Sequence, residues 1–129
     1  MSADRLFLFL GALSAAVAVA AGALGAHALQ SVLAPQQLAV FETALPYQMY
    51  HALAMGAAAW TIGSVRGRAA TLAGALFALG TLLFSGGLYL HSLAGLRAAA
   101  MVVPVGGAAF IAGWLCLAWT AVVAARHPH

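Results

Sequence analysis

The feature that most limits what this chain can fold into is the length of its uninterrupted apolar runs. Four of them, Leu6 to Leu29, Pro46 to Val65, Ala69 to Leu90 and Val102 to Ala124, are separated only by short polar punctuation. About 20 apolar residues in helical conformation cross a hydrocarbon layer ~30 Å thick, so each run is long enough to span. Lipid offers no water to backbone N–H and C=O groups, which leaves helices and closed barrels as spanning structures. The runs are continuous rather than alternating, and rich in Ala and Leu, a pattern that favours helices over strands. The predicted fold is therefore all-α, a single transmembrane domain over residues 1–129 forming an integral membrane four-helix bundle.

Composition leaves little room for anything else. Hydrophobic residues make up 65% of the chain and charged residues 5%, whereas about a quarter of the residues of a soluble domain are charged. The net charge of +3 comes from five arginines against Asp4 and Glu42. These are too sparse and scattered for a nucleic-acid surface, so the charge orients the chain in the bilayer instead. Arg5, Arg66, Arg68 and Arg126 fall on one side of the four runs and only Arg97 on the other. This asymmetry predicts an inner-membrane protein with both termini and the Arg66-Gly67-Arg68 turn in the cytoplasm. Cys116 stands alone in an apolar run; it has no internal disulfide partner and reads as a small hydrophobe.

Ala26-His27-Ala28 has the small-x-small form of a signal-peptidase site. A secretory leader has an apolar core of about 7 to 15 residues, and the run before this one extends from Leu6 to Leu24 or beyond. The segment is read as a retained first helix with His27 at its outer end. Between the first two spans, Leu38, Phe41 and Leu45 recur at helical spacing behind Pro35, which suits the first turn of a short helix lying in the interface. Pro46 would then open the second span, where its missing N–H costs nothing. Pro104 fits the first turn of a helix opening near Val102, whereas in one opening at Ala98 it would lie deeper and bend the helix. On the first span, Gly11, Ala15, Ala18, Gly22 and Ala26 line up as a small-residue packing face, and Gly74 and Ala78 repeat the pattern in the third.

The uncommon side chains gather toward the outer ends of the spans. His27, Glu42, Tyr47, His51, Ser85 and Tyr89 form a candidate polar cluster, because ionisable groups near membrane depth are costly and usually functional. Simpler readings stand beside it. His27 could bond free carbonyls at a helix end, Glu42 could be solvated, and the tyrosines, with Trp60, Trp114 and Trp119, could be aromatic-belt anchors. His27, Glu42 and His51 would supply nitrogen and oxygen donors to zinc or a similar ion. However, no His-x-x-x-His, Cys-x-x-Cys or Glu-x-x-His spacing supports a metal. A hydrogen-bonded lock between helices is the preferred reading of the three, and no cofactor is expected. Ser85 lacks a base in its own segment, and Met49, Met55 and Met101 read as adaptable packing rather than a Cu(I) path.

The phrases GALGAHAL (Gly22 to Leu29), FETALPYQMYHALA (Phe41 to Ala54), FSGGLYLHSLAGLR (Phe84 to Arg97) and PVGGAAFIAGW (Pro104 to Trp114) resemble, in order, four blocks of the YgdD-like family. The resemblance covers nearly the whole chain. It implies a small four-helix inner-membrane protein of a family with bacterial and mitochondrial members and no assigned activity. Gly87 and His91 depart from the family's usual wording, serine and an apolar residue respectively, which sets His91 apart from any site the family shares. The leading expectation is a non-enzymatic accessory, scaffolding or assembly factor. Its partners would be the lipid bilayer and a second copy or another membrane protein, with no nucleic acid. The alternatives are a metal- or proton-binding protein using His27, Glu42 and His51, and a small oligomeric transporter.

The arginine asymmetry has a direct test. Cysteines engineered at Ser31 and Gly95 should react with an impermeant maleimide in intact cells, and one at Gly67 should not. Labelling at Gly67 would invert the orientation.

Overall fold

Ala- and Leu-rich runs in lipid satisfy their backbone groups internally as helices, and the computed structural model, which describes residues 1–65 and 67–126, is built from them. α1 covers Ala3–Ala26, α2 Pro35–Ser64, α3 Arg68–Gly80, α4 Gly86–Ala94, α5 Arg97–Ala100 and α6 Val103–Arg126. A 3-10 turn at Ala28–Ser31 follows α1, and a π turn at Thr81–Ser85 carries α3 into α4, so these form one helical stretch from Arg68 to Ala94. No strand occurs among the described residues. The protein is an all-helical membrane protein of four long rods. Arg66, placed by the sequence in the cytoplasmic turn, lies outside the described residues.

Ala3–Ala26, Arg68–Ala94 and Arg97–Ala124 are each long and apolar enough to cross a membrane. α2 is the longest helix at 30 residues, about 45 Å at 1.5 Å per residue, but Tyr47, Gln48, Tyr50 and His51 lower its apolar character. Those residues sit on the rod with the most neighbours. α1 lies along α2, the α3–α4 rod packs against α2, and α6 covers α3 and the π turn while barely touching α2.

The interfacial helix and the second span are not separate. Pro46 lies inside α2 rather than at its start, and the helix begins instead at Pro35, in the first-turn position. There the Ala34 N–H donates to Gln37 Oε1 at 3.2 Å, which is half of a capping box. Pro46 removes one helix hydrogen bond, leaving the Glu42 carbonyl without its usual donor four residues on. Its ring is on the exposed side of the helix, while Phe41, Ala44 and Gln48 are buried on the other and hold the axis continuous. α6 begins at Val103, so Pro104 does occupy a first turn.

The packing of α1 also differs from expectation. Its buried residues are Phe7, Gly11, Ala18 and Gly25, a seam stepping close to the heptad period. Gly11 and Ala18 belong to the expected small face, but Ala26 is exposed and Gly22 opens onto free space. Ala crowds every side of this helix, so its small residues alone do not choose the face; its own Phe7 on Gly74, the Ala52 carbonyl at Gly11 and the Phe41 ring at Gly25 do.

Those rings sit on glycines. A methyl group added at Gly74 would lie 2.6 Å from the Phe7 ring, one at Gly113 2.7 Å from the Phe77 ring, and one at Gly25 3.0 Å from the Phe41 ring. Phe110 occupies the space at Gly80 in the same way, and the backbone of Phe84 closes on Gly106. Without a hydrophobic drive between helices in lipid, close approach at small residues supplies the dispersion contact that associates them. Gly11 is the tightest case on α1, because an added methyl would meet the Ala52 carbonyl oxygen at 2.6 Å, and a backbone atom cannot turn aside.

Gly11→Ala should therefore lower the stability of the solubilised protein by about 1 to 3 kcal/mol through overpacking. Gly22→Ala should hold or raise it, since Ala is favoured over Gly in a helix by about 1 kcal/mol. Thermal unfolding in one detergent compares the two, and equal melting temperatures would refute the seam.

Candidate functional site

Tyr47, Gln48 and His51 fall on one turn of α2 and reach in two directions. Toward α1 and α4, the Gln48 side-chain amide donates to the Ser14 carbonyl at 3.1 Å and approaches Ser14 Oγ at 3.4 Å. Its Oε1 accepts the Tyr89 hydroxyl at 2.5 Å. Beside it Ser85 Oγ donates to the Ala44 carbonyl at 3.0 Å. One buried amide thus joins three helices, and a buried hydroxyl adds a fourth contact between the same α2 and the π turn.

Toward α6, His51 Nδ1 lies 2.6 Å from the Tyr47 carbonyl oxygen, and the Trp114 indole N–H donates to His51 Nε2 at 3.2 Å. A carbonyl only accepts and an indole N–H only donates, so Nδ1 carries the proton and Nε2 is bare. Hydrogen bonding thus assigns a neutral ring in one tautomer. Phe110 stacks on it with ring centroids 3.4 Å apart and planes within 4°, and Phe77 flanks it at 5.7 Å. The stack bridges α2 and α6 where their backbones stay apart. A surface groove of about 620 Å³ follows this line, with Tyr47, His51, Phe84, Pro104, Phe110 and Trp114 among its walls.

Both ties lie near the middle of the bundle's length, Trp114 being 11 residues from one end of α6 and 12 from the other. Ser14 is 11 residues from one end of α1 and 12 from the other, about 17 Å either way, so Gln48 meets it near mid-depth and not at the outer boundary. Unbonded polar groups cost most at that depth, because lipid supplies no alternative partner.

The structure does not bring His27, Glu42 and His51 together. His27 is exposed at the end of α1, where its backbone N–H reaches the Leu24 carbonyl at 3.4 Å, and Glu42 is exposed on α2. Among the described residues no three His, Cys, Asp or Glu side chains form a group that could hold a metal ion. With both ring nitrogens engaged, His51 has no lone pair to offer one. Tyr47 contributes its carbonyl rather than its hydroxyl to His51, and its ring rests on Phe84 at 4.6 Å. Tyr89 and Trp114 are interhelical hydrogen-bond partners, although Trp114, like Tyr50, Trp60 and Trp119, keeps an exposed face. Gln48 and Ser14 were missed by a sequence reading that weighed ionisable groups. A lone amide within an apolar span was the available signal, but the Ser14 carbonyl it seeks carries no sequence mark.

Four helical rods joined at mid-depth by an amide and a neutral imidazole define a small α-helical membrane protein whose interior is closed by its own side chains. The profile of a family described as "Protein of unknown function (DUF423)" matches residues 21–107, and the chain belongs to that family. A UPF0382 membrane protein of Staphylococcus haemolyticus is 41% identical over 116 residues, covering 88% of this chain and 92% of the relative. The UPF0382 membrane protein YwdK of Bacillus subtilis is 38% identical over 119 residues, 92% of this chain and 97% of its own. The UPF0382 inner membrane protein YgdD of Escherichia coli K12 is 39% identical over 111 residues, 86% of this chain and 85% of its own. No solved structure matches the chain. The segment matched by the family profile contains Gln48, His51, Ser85 and Tyr89, while Ser14 and Trp114 lie outside it.

Replacing Gln48 by Leu strands the Tyr89 hydroxyl in the interior and should lower stability by about 1 to 3 kcal/mol. His27→Leu should leave the unfolding curve unchanged. If thermal unfolding in detergent moved equally for both variants, Gln48 would not be a tie.

Proposed function

We propose that this member of the family is a non-enzymatic accessory or scaffolding protein of the inner membrane, with both termini cytoplasmic, acting through contacts between its bundle and another membrane protein. The observation that carries this reading is the disposition of the buried polar side chains. Among the described residues only His91 Nδ1 is a buried side-chain nitrogen or oxygen without a partner; Gln48, His51, Ser85, Ser92 and Thr120 are all engaged within the chain. A proton relay or a nucleophile needs a group free to exchange its partner, and these groups act as fasteners. Phe rings seated on glycines fill the space that a transport path through four helices would need. The lateral face is the part that remains for interaction, and the groove beside His51 runs along it. The inner-membrane placement is supported by the name of the Escherichia coli relative and by the arginine asymmetry.

A photo-reactive residue at Ile111, exposed on the groove wall, tests the reading in native membranes. Protein adducts of discrete mass are expected, and reconstituted vesicles should carry no saturable ion or proton flux above empty ones. Adducts to lipid alone would refute the scaffolding role. Saturable flux that disappears in His51→Leu would replace it with transport.

A further inference from the structure

At the end of the bundle where α2 begins, the chain leaves α4 through Gly95, whose φ of 64° is left-handed. The N–H groups of Gly95 and Leu96 both turn back to the Leu90 carbonyl. This tight reversal sets Arg97 beside the first turn of α2. Between them is a cavity of about 480 Å³, walled by Gln36, Gln37 and Val40 on one side and by His91, Ser92 and Arg97 on the other.

The chemistry of the walls is one-sided. Gln37 uses its oxygen to accept the Ala34 N–H at 3.2 Å, which leaves its amide N–H groups to donate. The Ser92 hydroxyl is spent on the Tyr89 carbonyl at 3.1 Å. Gln36 and Arg97 are exposed, and neither acidic side chain, Asp4 or Glu42, lines the cavity. His91 belongs to the same wall, and its Nδ1 is buried with no partner among the described residues, so no hydrogen bond through that nitrogen fixes the ring. A permanent cation, free amide donors and no anion form a receptor for an oxyanion, and the guanidinium fork matches two phosphate oxygens at once. The place is also where the helices end and the polar layer begins.

We propose that this cavity binds a phosphate-bearing anion, held by Arg97 with Gln36 and Gln37 and closed by His91. The phosphodiester of an anionic phospholipid and free phosphate share that chemistry. The site is separate from the groove along α6, and it stands whether or not the bundle is a scaffold.

The test uses the full chain in detergent. Native mass spectrometry with equal phosphatidylglycerol and phosphatidylcholine reads lipid retention, and thermal unfolding with millimolar inorganic phosphate reads the free anion. Arg97→Gln removes the cation at an exposed position, and Arg5→Gln, at the other end of the bundle, is the control. Preferential retention of phosphatidylglycerol, cut about tenfold in Arg97→Gln and unchanged in Arg5→Gln, assigns the site to a lipid headgroup. Protection by phosphate that Arg97→Gln abolishes, without lipid preference, assigns it to the free anion. Neither effect, or effects that survive in Arg97→Gln, would overturn the site.

Discussion

Aromatic rings seated on glycines hold this bundle together. In lipid, burying apolar surface between helices gains almost nothing from water, so association depends on dispersion at short range. Five of the six phenylalanines in the chain approach a glycine of a neighbouring rod or turn: Phe7 at Gly74, Phe41 at Gly25, Phe77 at Gly113, Phe84 at Gly106 and Phe110 at Gly80. Four of these pairings put a ring where a side chain would otherwise hold two backbones apart, and at Gly106 the backbone of Phe84 itself closes in. The sixth, Phe9, is exposed. These contacts fix which faces meet, and everything polar in the interior depends on that registry.

Ring-on-glycine contacts give closeness but little direction, since a ring tolerates small rotations and slides. Hydrogen bonds at mid-depth supply the direction. Gln48 can reach both Ser14 and Tyr89 only when α1 and α4 flank α2 at one height, and His51 meets Trp114 only when α6 sits at one rotation. Removing one partner of such a pair leaves a polar group in hydrocarbon, so alternative registers are penalised more strongly than the native bonds are favoured. The neutral tautomer of His51 follows from the same geometry, because a second ring proton would face an indole N–H that can only donate.

Much of this was legible in the sequence, and what was not has identifiable causes. Run length and continuity point to four helical rods because lipid permits few other solutions. Pro35 as a helix start and Pro104 in a first turn follow from the fixed φ and missing N–H of proline. Pro46 misled for the same reason: local rules place it at a helix start, but buried neighbours on the opposite face, Phe41, Ala44 and Gln48, carry the helix through it. Gly11 and Ala18 of the expected α1 face are buried, but Gly22 and Ala26 are not, because small residues surround that helix and Phe7 and the α2 atoms at Gly11 and Gly25 choose the face. His51 stood out as an imidazole in an apolar run, yet its partners are a backbone carbonyl and a tryptophan that reads as a belt residue. Convergence of His27 and Glu42 with it was inferred from linear position, and the end of α1 and the exposed side of α2 keep both away.

The continuity of α2 through Pro46 has a further consequence for how the protein is organised. Had the chain broken there, residues 35–45 would ride on the membrane surface independently of the bundle. Instead Gln36 and Gln37 at the cavity, and Gln48 and His51 at the ties, belong to one rod, and about 18 Å of helix separates Gln36 from Gln48 at 1.5 Å per residue. A helix is stiff along its axis over that length, so the position of the first turn relative to Arg97 is set by where Gln48 meets Tyr89 on α4. The glycine contacts of α1, the mid-depth ties and the polar cavity at the bundle's end are therefore not three independent features. The first brings α1 and α2 to contact, the second fixes the heights of α1 and α4 against α2, and the third takes its shape from the second.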